Sequence, residues 1–386
     1  MAGVEFYRHA LGSEEVESIV ETLHSLFLTL GPRTAEFERC FATFMGSEHA
    51  VGTNSCSAGL VLALRALDIG PGDEVITTPM TFVSTPNAVL HVGANVVFVD
   101  VERRTGLIDP AAVERAITAR TRAILPVHLY GQMADMRAIA AIARRNDLRV
   151  VEDAAHAVEA ERDGVKPGQL ADMAVFSFYA TKNLTSGDGG AIALHSTALA
   201  ERLRRLRNHG ITKDAATRYG QSYRHWDMLE LGYKAAMNDL DAALLIPQLS
   251  RVRERWQRRC QLVARYRQLL ANEPRVELIE PAGESAHHLF AIKVAPETRD
   301  PLLAELGARG IGCAVNYRSV HTLSYFEKLG HRRDDYPQAA DFGERTLTLP
   351  LWPDMPLASV DTAVAELRAS LDALDAPRTF AESCHG

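Results

Sequence analysis

Between residues 51 and 195 the chain alternates short runs of mainly apolar residues with stretches whose apolar residues recur at helical spacing. The runs at 75–78, 96–101, 123–129, 149–153, 174–178 and 191–195 predict strands with apolar residues on both faces. Asp109-Pro110, a capping carboxylate followed by a first-turn proline, opens a helix over 111–117, and 135–145 predicts another. Such strands separated by helices imply a mainly parallel sheet covered on both sides, with ligands beyond the carboxyl ends of the strands. Upstream, Ser13 with Glu14 and Glu15 reads as a capped helix start, and Val16, Ile19, Val20, Leu23 and Phe27 give that helix one apolar face. Downstream of Asn238 the pattern becomes one long helix over 240–270, with Pro247 as a kink. Strand-like runs at 276–279, 289–294 and 313–318 and helices near 302–308 and 358–371 follow. They predict a smaller α+β domain hung on the long helix, with the division at residues 1–250 and 251–386.

Composition narrows the function. With 386 residues and 47% hydrophobic content the chain can bury two cores. A formal net charge of −7 argues against a general nucleic-acid or membrane-surface binder. No apolar run reaches a membrane-spanning length, and residues 1–11 lack the cationic and apolar regions of a secretory signal. Cys40, Cys56, Cys260, Cys313 and Cys384 are widely spaced, as expected of reduced thiols in a cytoplasmic protein.

The candidate chemistry lies at the strand ends. Lys182 follows the run at 174–178 and precedes the turn Gly187-Asp188-Gly189-Gly190, while the run at 149–153 ends in Asp153. A lysine and a carboxylate so placed are the two groups a pyridoxal phosphate (PLP) enzyme needs: an amine to bond the aldehyde and an acid to keep the pyridine nitrogen protonated. Lysine is also scarce, six residues among 42 lysines and arginines, which makes one inside an apolar motif more telling. Residues 53–59 (TNSCSAG) precede an apolar helix at 60–67, and their backbone N–H groups and hydroxyls could seat a phosphate, although helix capping by Ser57 is the plainer reading of that segment alone. Phe82 could stack on a flat ring or belong to the core. His156 could lie against the ring or be structural, and Ser177 could reach the phosphate. The glycine turn lacks a strand–GxGxxG–helix context, and neither HExxH nor GxSxG spacing occurs, so dinucleotide, zinc and serine-hydrolase readings find no support.

Taken together, the segments GPGDEVITTPMTFVSTPNAV (70–89), AILPVHLYGQMADM (123–136), VVEDAAHA (150–157), FSFYATKNLTSGDGGAI (176–192) and LTLPLWPDM (347–355) resemble the DegT/DnrJ/EryC1/StrS family of sugar aminotransferases over nearly the whole chain. The resemblance implies the PLP fold type I, like aspartate aminotransferase, with a large seven-stranded sheet domain and a small C-terminal α+β domain. GYK at 232–234, HHLF at 287–290 and NYRSVHT at 316–322 look closest to aminotransferases that make 4-amino sugars such as aminoarabinose. On these matches Lys182 is the lysine that carries PLP, Asp153 the partner of the ring nitrogen, His156 a contact of the ring oxygen and Phe82 the stacking aromatic. Cys56, Ser57 and Ser177 form the phosphate seat, and Tyr317 and His321 fall among sugar-pocket residues. Family members are homodimers that share their sites, and Lys234 belongs to the segment reaching across.

There are departures from the family pattern. Cys56 stands where a glycine is usual, Asp188 where Glu is usual, and Glu159 where a small residue is usual. Ala236 replaces the Asn or Arg that reaches the neighbouring subunit, a place Asn238 or Lys234 could fill. The implied activity is ping-pong transamination from L-glutamate to a nucleotide-linked 4-keto or 3-keto sugar, with the freed Lys182 amine as base. Lys213, Arg218 and Arg224 could bind the nucleotide's phosphates, or simply belong to a solvated loop. A keto-cyclitol acceptor is the alternative. A dehydratase would carry histidine in place of Lys182, and a non-catalytic regulator would be expected to carry an added DNA-binding segment before Ser13.

Overall fold

The computed structural model describes residues 3–212 and 225–376. Its helices are α1 (Ser13–Leu23), α2 (Pro32–Met45), α3 (Cys56–Ala66), α4 (Ser84–His91), α5 (Pro110–Arg115), α6 (Met136–Arg145), α7 (Thr197–Leu206), α8 (Asp239–Leu270), α9 (Pro296–Ala308), α10 (Ser324–Lys328), α11 (Pro337–Arg345) and α12 (Leu357–Asp375). Its strands are β1 (His49–Thr53), β2 (Glu74–Thr77), β3 (Asn95–Phe98), β4 (Thr121–Leu125), β5 (Arg149–Asp153), β6 (Met173–Ser177), β7 (Gly190–Leu194), β8 (Glu277–Leu278), β9 (Phe290–Lys293) and β10 (Thr346–Leu349).

Seven strands form one sheet in the order β1-β7-β6-β5-β4-β2-β3. All pairs are parallel except those of β7, which runs antiparallel to both β1 and β6. The fully apolar runs explain the sandwiching. Phe37, Phe41 and Met45 of α2 and Ile139 of α6 pack on one face. Leu60 and Leu64 of α3, Val89 of α4 and Leu203 of α7 pack on the other. The six anticipated strands are present with their ends shifted by a few residues; β1, short and containing Gly52, was not anticipated and is recognisable only by its pairing with β7.

A second, antiparallel sheet, β10-β9-β8, shares a core with the distal half of α8 (Leu262, Tyr266, Leu270), α9 and α12. Val4 bridges Ile311 and joins this smaller core, so the beginning of the chain packs with its end. The segment 313–318 forms no strand. Ala314 makes a single bridge to Thr348 before the chain turns to bring Asn316 and Tyr317 to a cavity.

Two helix starts differ from expectation. Gly12, not Ser13, is the cap of α1, and Glu15 turns back so that its Oε2 accepts from the Gly12 N–H at 2.7 Å. The apolar face of α1 also points outward: Val16 is 62% exposed and Leu23 56%, while Glu15, Ser18 and Thr22 are buried. Ser55, not Ser57, caps α3, its Oγ accepting from Ala58 N–H at 3.1 Å. Helix α8 continues through Pro247, and its N-terminal cap is Asn238, which accepts from Asp241 N–H at 2.8 Å.

Candidate active site

Parallel strands deliver side chains to one edge of the sheet, and here that edge opens into a cavity of about 500 Å³. Asp153 arrives at the end of β5, Ser177 at the end of β6, and Cys56 and Ser57 at the start of α3. Phe82 comes from the loop after β2, Lys182 from the loop after β6, and Tyr317 from the smaller domain; all line the cavity. His156 lines it as well, whereas His321 and Lys234 do not. His321 is buried with both ring nitrogens committed, Nδ1 to Ser319 Oγ at 2.7 Å and Nε2 to the Arg333 carbonyl at 3.1 Å. Lys234 is exposed beside a bridge to Asn208. Asn238 is occupied in capping α8, and Ala236 pairs with Thr53. Lys213, Arg218 and Arg224 lie outside the described residues.

Lys182 is held beside His288, with Nζ 3.4 Å from His288 Nε2. Burial pushes its amine down to about 8, against the opposing pull of Cys56 and Asp153. A substantial neutral fraction near pH 8 is what a nucleophilic amine needs. Asp153 is fixed on both oxygens: Oδ2 accepts from Thr85 Oγ1 at 2.6 Å and Oδ1 from Ala155 N–H at 3.1 Å. Thr81 Oγ1 lies 2.7 Å from Thr85 Oγ1 and completes the chain.

The aromatic wall is equally constrained. His156 Nδ1 accepts from Tyr130 N–H at 3.2 Å, which leaves Nε2 protonated and facing Tyr317 Oη at 3.1 Å. Burial, reinforced by Lys182, holds this imidazole well below its usual range, so it is neutral. The Phe82 ring lies 5.7 Å from that of Tyr317 and remains 54% exposed, a free face rather than a core contact.

At the start of α3, Ser57 is exposed, and its hydroxyl makes no hydrogen bond among the described residues. Cys56 contributes only its backbone N–H, because its Sγ points to the Val175 carbonyl at 3.9 Å and burial pushes the thiol up. Gly190 brings β7 against this helix start: a Cβ there would lie 2.7 Å from Cys56 N, so the close approach requires glycine.

Sequence reasoning missed Thr85, Asn183 and His288 as members of the site. Thr85 lay within the quoted 70–89 segment, Asn183 directly after Lys182, and His288 within HHLF, but only the fold brings them together.

The donor set fits PLP. Free N–H groups and a free hydroxyl at a helix N-terminus suit a phosphate dianion, a fixed carboxylate suits a ring N–H, and a buried neutral amine suits an aldehyde. The class this fold and cavity define is the PLP-dependent transferases of fold type I. Comparison with known proteins narrows it. The DegT/DnrJ/EryC1/StrS aminotransferase family matches residues 9–368, and the chain belongs to it; it is a PLP-dependent aminotransferase. It is 41% identical over 367 residues to the spore coat polysaccharide biosynthesis protein SpsC of Bacillus subtilis, covering 93% of this chain and 94% of SpsC. The sugar aminotransferase Spr1654 of Streptococcus pneumoniae, solved in its PMP form, superposes with a TM-score of 0.91 at 31% identity, covering 96% of this chain and all of that one. DesV of S. venezuelae superposes at 0.87 with 36% identity, covering 96% and 98%.

Proposed function

We propose that the enzyme transfers the amino group of L-glutamate to the ketone of a sugar carried on a nucleotide diphosphate, at the 4- or 3-position. The observation that carries this is the polysaccharide and sugar vocabulary of its relatives, SpsC and Spr1654, joined to a cavity whose far wall is aromatic and whose amine is poised near neutrality. PLP, when bound, supplies a ring that stores the electron pair released from the donor's Cα. Lys182 would hold PLP and, once free, its amine would take the proton from the donor's Cα. Asp153 keeps a proton on the ring nitrogen, and Thr85 and Ala155 prevent the carboxylate from turning away. Phe82 would stack on the ring, and Ser57, Ser177 and the N–H groups of the α3 start would hold the phosphate. Tyr317, which lines the same cavity, would meet the acceptor sugar.

The enzyme works as a homodimer in the cytoplasm on this reading. The outward apolar face of α1, together with Trp226, Met228, Leu229 and Leu231, the last 74% exposed, suits burial by a second copy. Lys234 then reaches the partner's site rather than its own. Cys40, Cys56, Cys260 and Cys313 are free thiols, and no helix among the described residues is long and apolar enough to cross a membrane. A domain division near residue 250 falls within α8, the helix that joins the two cores.

The test is the absorbance of the PLP-loaded protein before and after L-glutamate alone, followed by a panel of keto acceptors. Loss of the yellow band with release of 2-oxoglutarate, reversed only by nucleotide keto-sugars, supports the proposal. Reversal only by a keto-cyclitol replaces the acceptor, and a band indifferent to glutamate replaces the donor.

A further inference from the structure

We propose that Glu159 is a positioning residue for Lys182: anchored by Arg259, it fixes the amide of Asn183 and through it the tautomer of His288, so that a bare ring nitrogen faces the lysine amine. The inference rests on Lys182 being the reactive amine. Glu159 stands where a small residue was expected, and the structure gives this unusual carboxylate a complete set of partners. Arg259 is buried, and its Nη2 meets Glu159 Oε1. A guanidinium stays charged when buried, so it demands a carboxylate there. Arg259 Nε also donates to the Ala286 carbonyl at 3.2 Å.

The second oxygen, Glu159 Oε2, accepts from Asn183 Nδ2 at 2.8 Å, and the same nitrogen donates to the Ala286 carbonyl at 3.0 Å. Both partners are acceptors only, so the amide has one orientation that satisfies them. Asn183 Oδ1 is thereby directed at His288 Nδ1, 3.2 Å away. An amide oxygen only accepts, so His288 carries its proton on Nδ1. The ring is buried, lies 4.5 Å from that of His156, and is held neutral by burial and by Lys182, His156 and Arg259. Its Nε2 is therefore a lone pair, 3.4 Å from Lys182 Nζ. One N–H of the lysine is taken by that lone pair, which turns the amine's own lone pair away from His288. A free lysine anchored this way is aimed before it acts as nucleophile or base.

Glu159→Gln tests the chain. The guanidinium takes the new amide oxygen, the new NH2 faces Asn183, and Asn183 turns its oxygen to it, giving up its bond to the Ala286 carbonyl, which keeps the Arg259 Nε–H. His288 Nδ1 then meets an NH2, and the ring proton moves to Nε2, pointing at Lys182. In the PLP-free protein labelled with 15N-histidine, the ring signals of His288, assigned by their loss in His288→Gln, should show the Nδ1–H form in the wild type and the Nε2–H form in the variant. The same variant should take up PLP about tenfold more slowly at pH 7.5, the effect of one misdirected hydrogen bond, and Glu159→Asp should restore most of that rate. Asn183→Ala, which leaves the ion pair in place, should also lose the wild-type tautomer and slow uptake. His288 remaining in the Nδ1–H form in both variants would overturn the proposal and leave the ion pair a purely structural feature. Lys182→Ala that still forms a borohydride-stable PLP adduct would overturn the reading of Lys182 beneath it; the tautomer measurement does not depend on that reading, so the two failures are distinguishable.

Discussion

At the lysine end of the cavity the functional side chains are already engaged by the protein, whereas at the helix end they are left free. Lys182 is bonded to His288, His288 to Asn183, and Asp153 to Thr85 and Ala155. Ser57 makes no hydrogen bond among the described residues, and the first N–H groups of α3 lack intrahelical acceptors. The difference follows from what each end must do. Groups that move protons need one orientation and one protonation state, which a low-dielectric hydrogen-bond network imposes. Groups that grip a phosphate need only be unoccupied, because the ligand completes their bonding.

The largest effect that could break this comparison is at Lys182. Lys182→Ala should abolish covalent capture of PLP and lower turnover by at least about 10⁴-fold. Intact-protein mass after borohydride treatment checks it: wild-type chain should gain one cofactor and the variant none. A gain at another lysine would move the reactive end elsewhere. Next comes Asp153→Asn, which keeps the shape and the Thr85 contact but not the charge. It should still bind PLP while kcat falls by about 10²–10³-fold; unchanged kcat would show that the carboxylate's fixed orientation serves only structure.

Much of the lysine end was legible in the chain, but not its wiring. Asp153 ends an apolar run and Lys182 follows another closely, so the mainly parallel sheet and its carboxyl edge are readable from the chain, while the fold type comes from the resemblance. Scarcity of lysine was a weaker guide than position. Lys293 is buried too, yet it bonds Glu277 at 2.7 Å, lies over the Phe342 ring and does not line the cavity. The partners of Lys182 escaped notice because His288 meets it, and Glu159 meets its neighbour Asn183, through long-range packing that no local period encodes. Helix periodicity likewise located α1 but not its direction: its polar residues Glu15, Ser18 and Thr22 face the protein, with Glu15 bonded to Arg251, and its apolar ones face out. A moment along a helix says that two faces differ, not which neighbour takes which. His321 was placed in the pocket by resemblance alone, and its ring is instead tied between Ser319 and Arg333.

At the open end the expected effect is smaller and of another kind. Ser57→Ala removes one donor to a phosphate without disturbing any hydrogen bond among the described residues. The PLP dissociation constant should rise by about tenfold, the worth of one hydrogen bond to a charged group, while kcat at saturating PLP stays within about twofold. Equilibrium titration of PLP-free protein by fluorescence separates the two quantities. A loss of kcat at full occupancy would mean that Ser57, too, is part of the orienting network, and the contrast between the ends would weaken.

The smallest effect concerns stability, and it has a definite sign. Holding Lys182 in the wall of the cavity depresses its folded-state pKa to about 8, while an unfolded lysine titrates near 10.4. Above about pH 10.4 both states are neutral and burial costs nothing. As pH falls from there to about 8 the unfolded chain takes up a proton that the folded chain resists, so stability is lost across that window; below about 8 the full penalty applies. Lys182→Met, which keeps the length and removes the charge, should therefore stabilise the PLP-free protein by roughly 1–2 kcal/mol at pH 7, a discounted figure because the amine borders the open cavity. The gain should shrink towards zero by about pH 10.5. Urea midpoints of both proteins at the two pH values measure it. Ser57→Ala run beside them should show no pH-dependent gain, because nothing at the helix end is held in a costly state before the cofactor arrives. Equal gains for Lys182→Met at both pH values would mean that packing, not the lysine's charge, sets the difference, and that the reactive amine is no less solvated than an ordinary one.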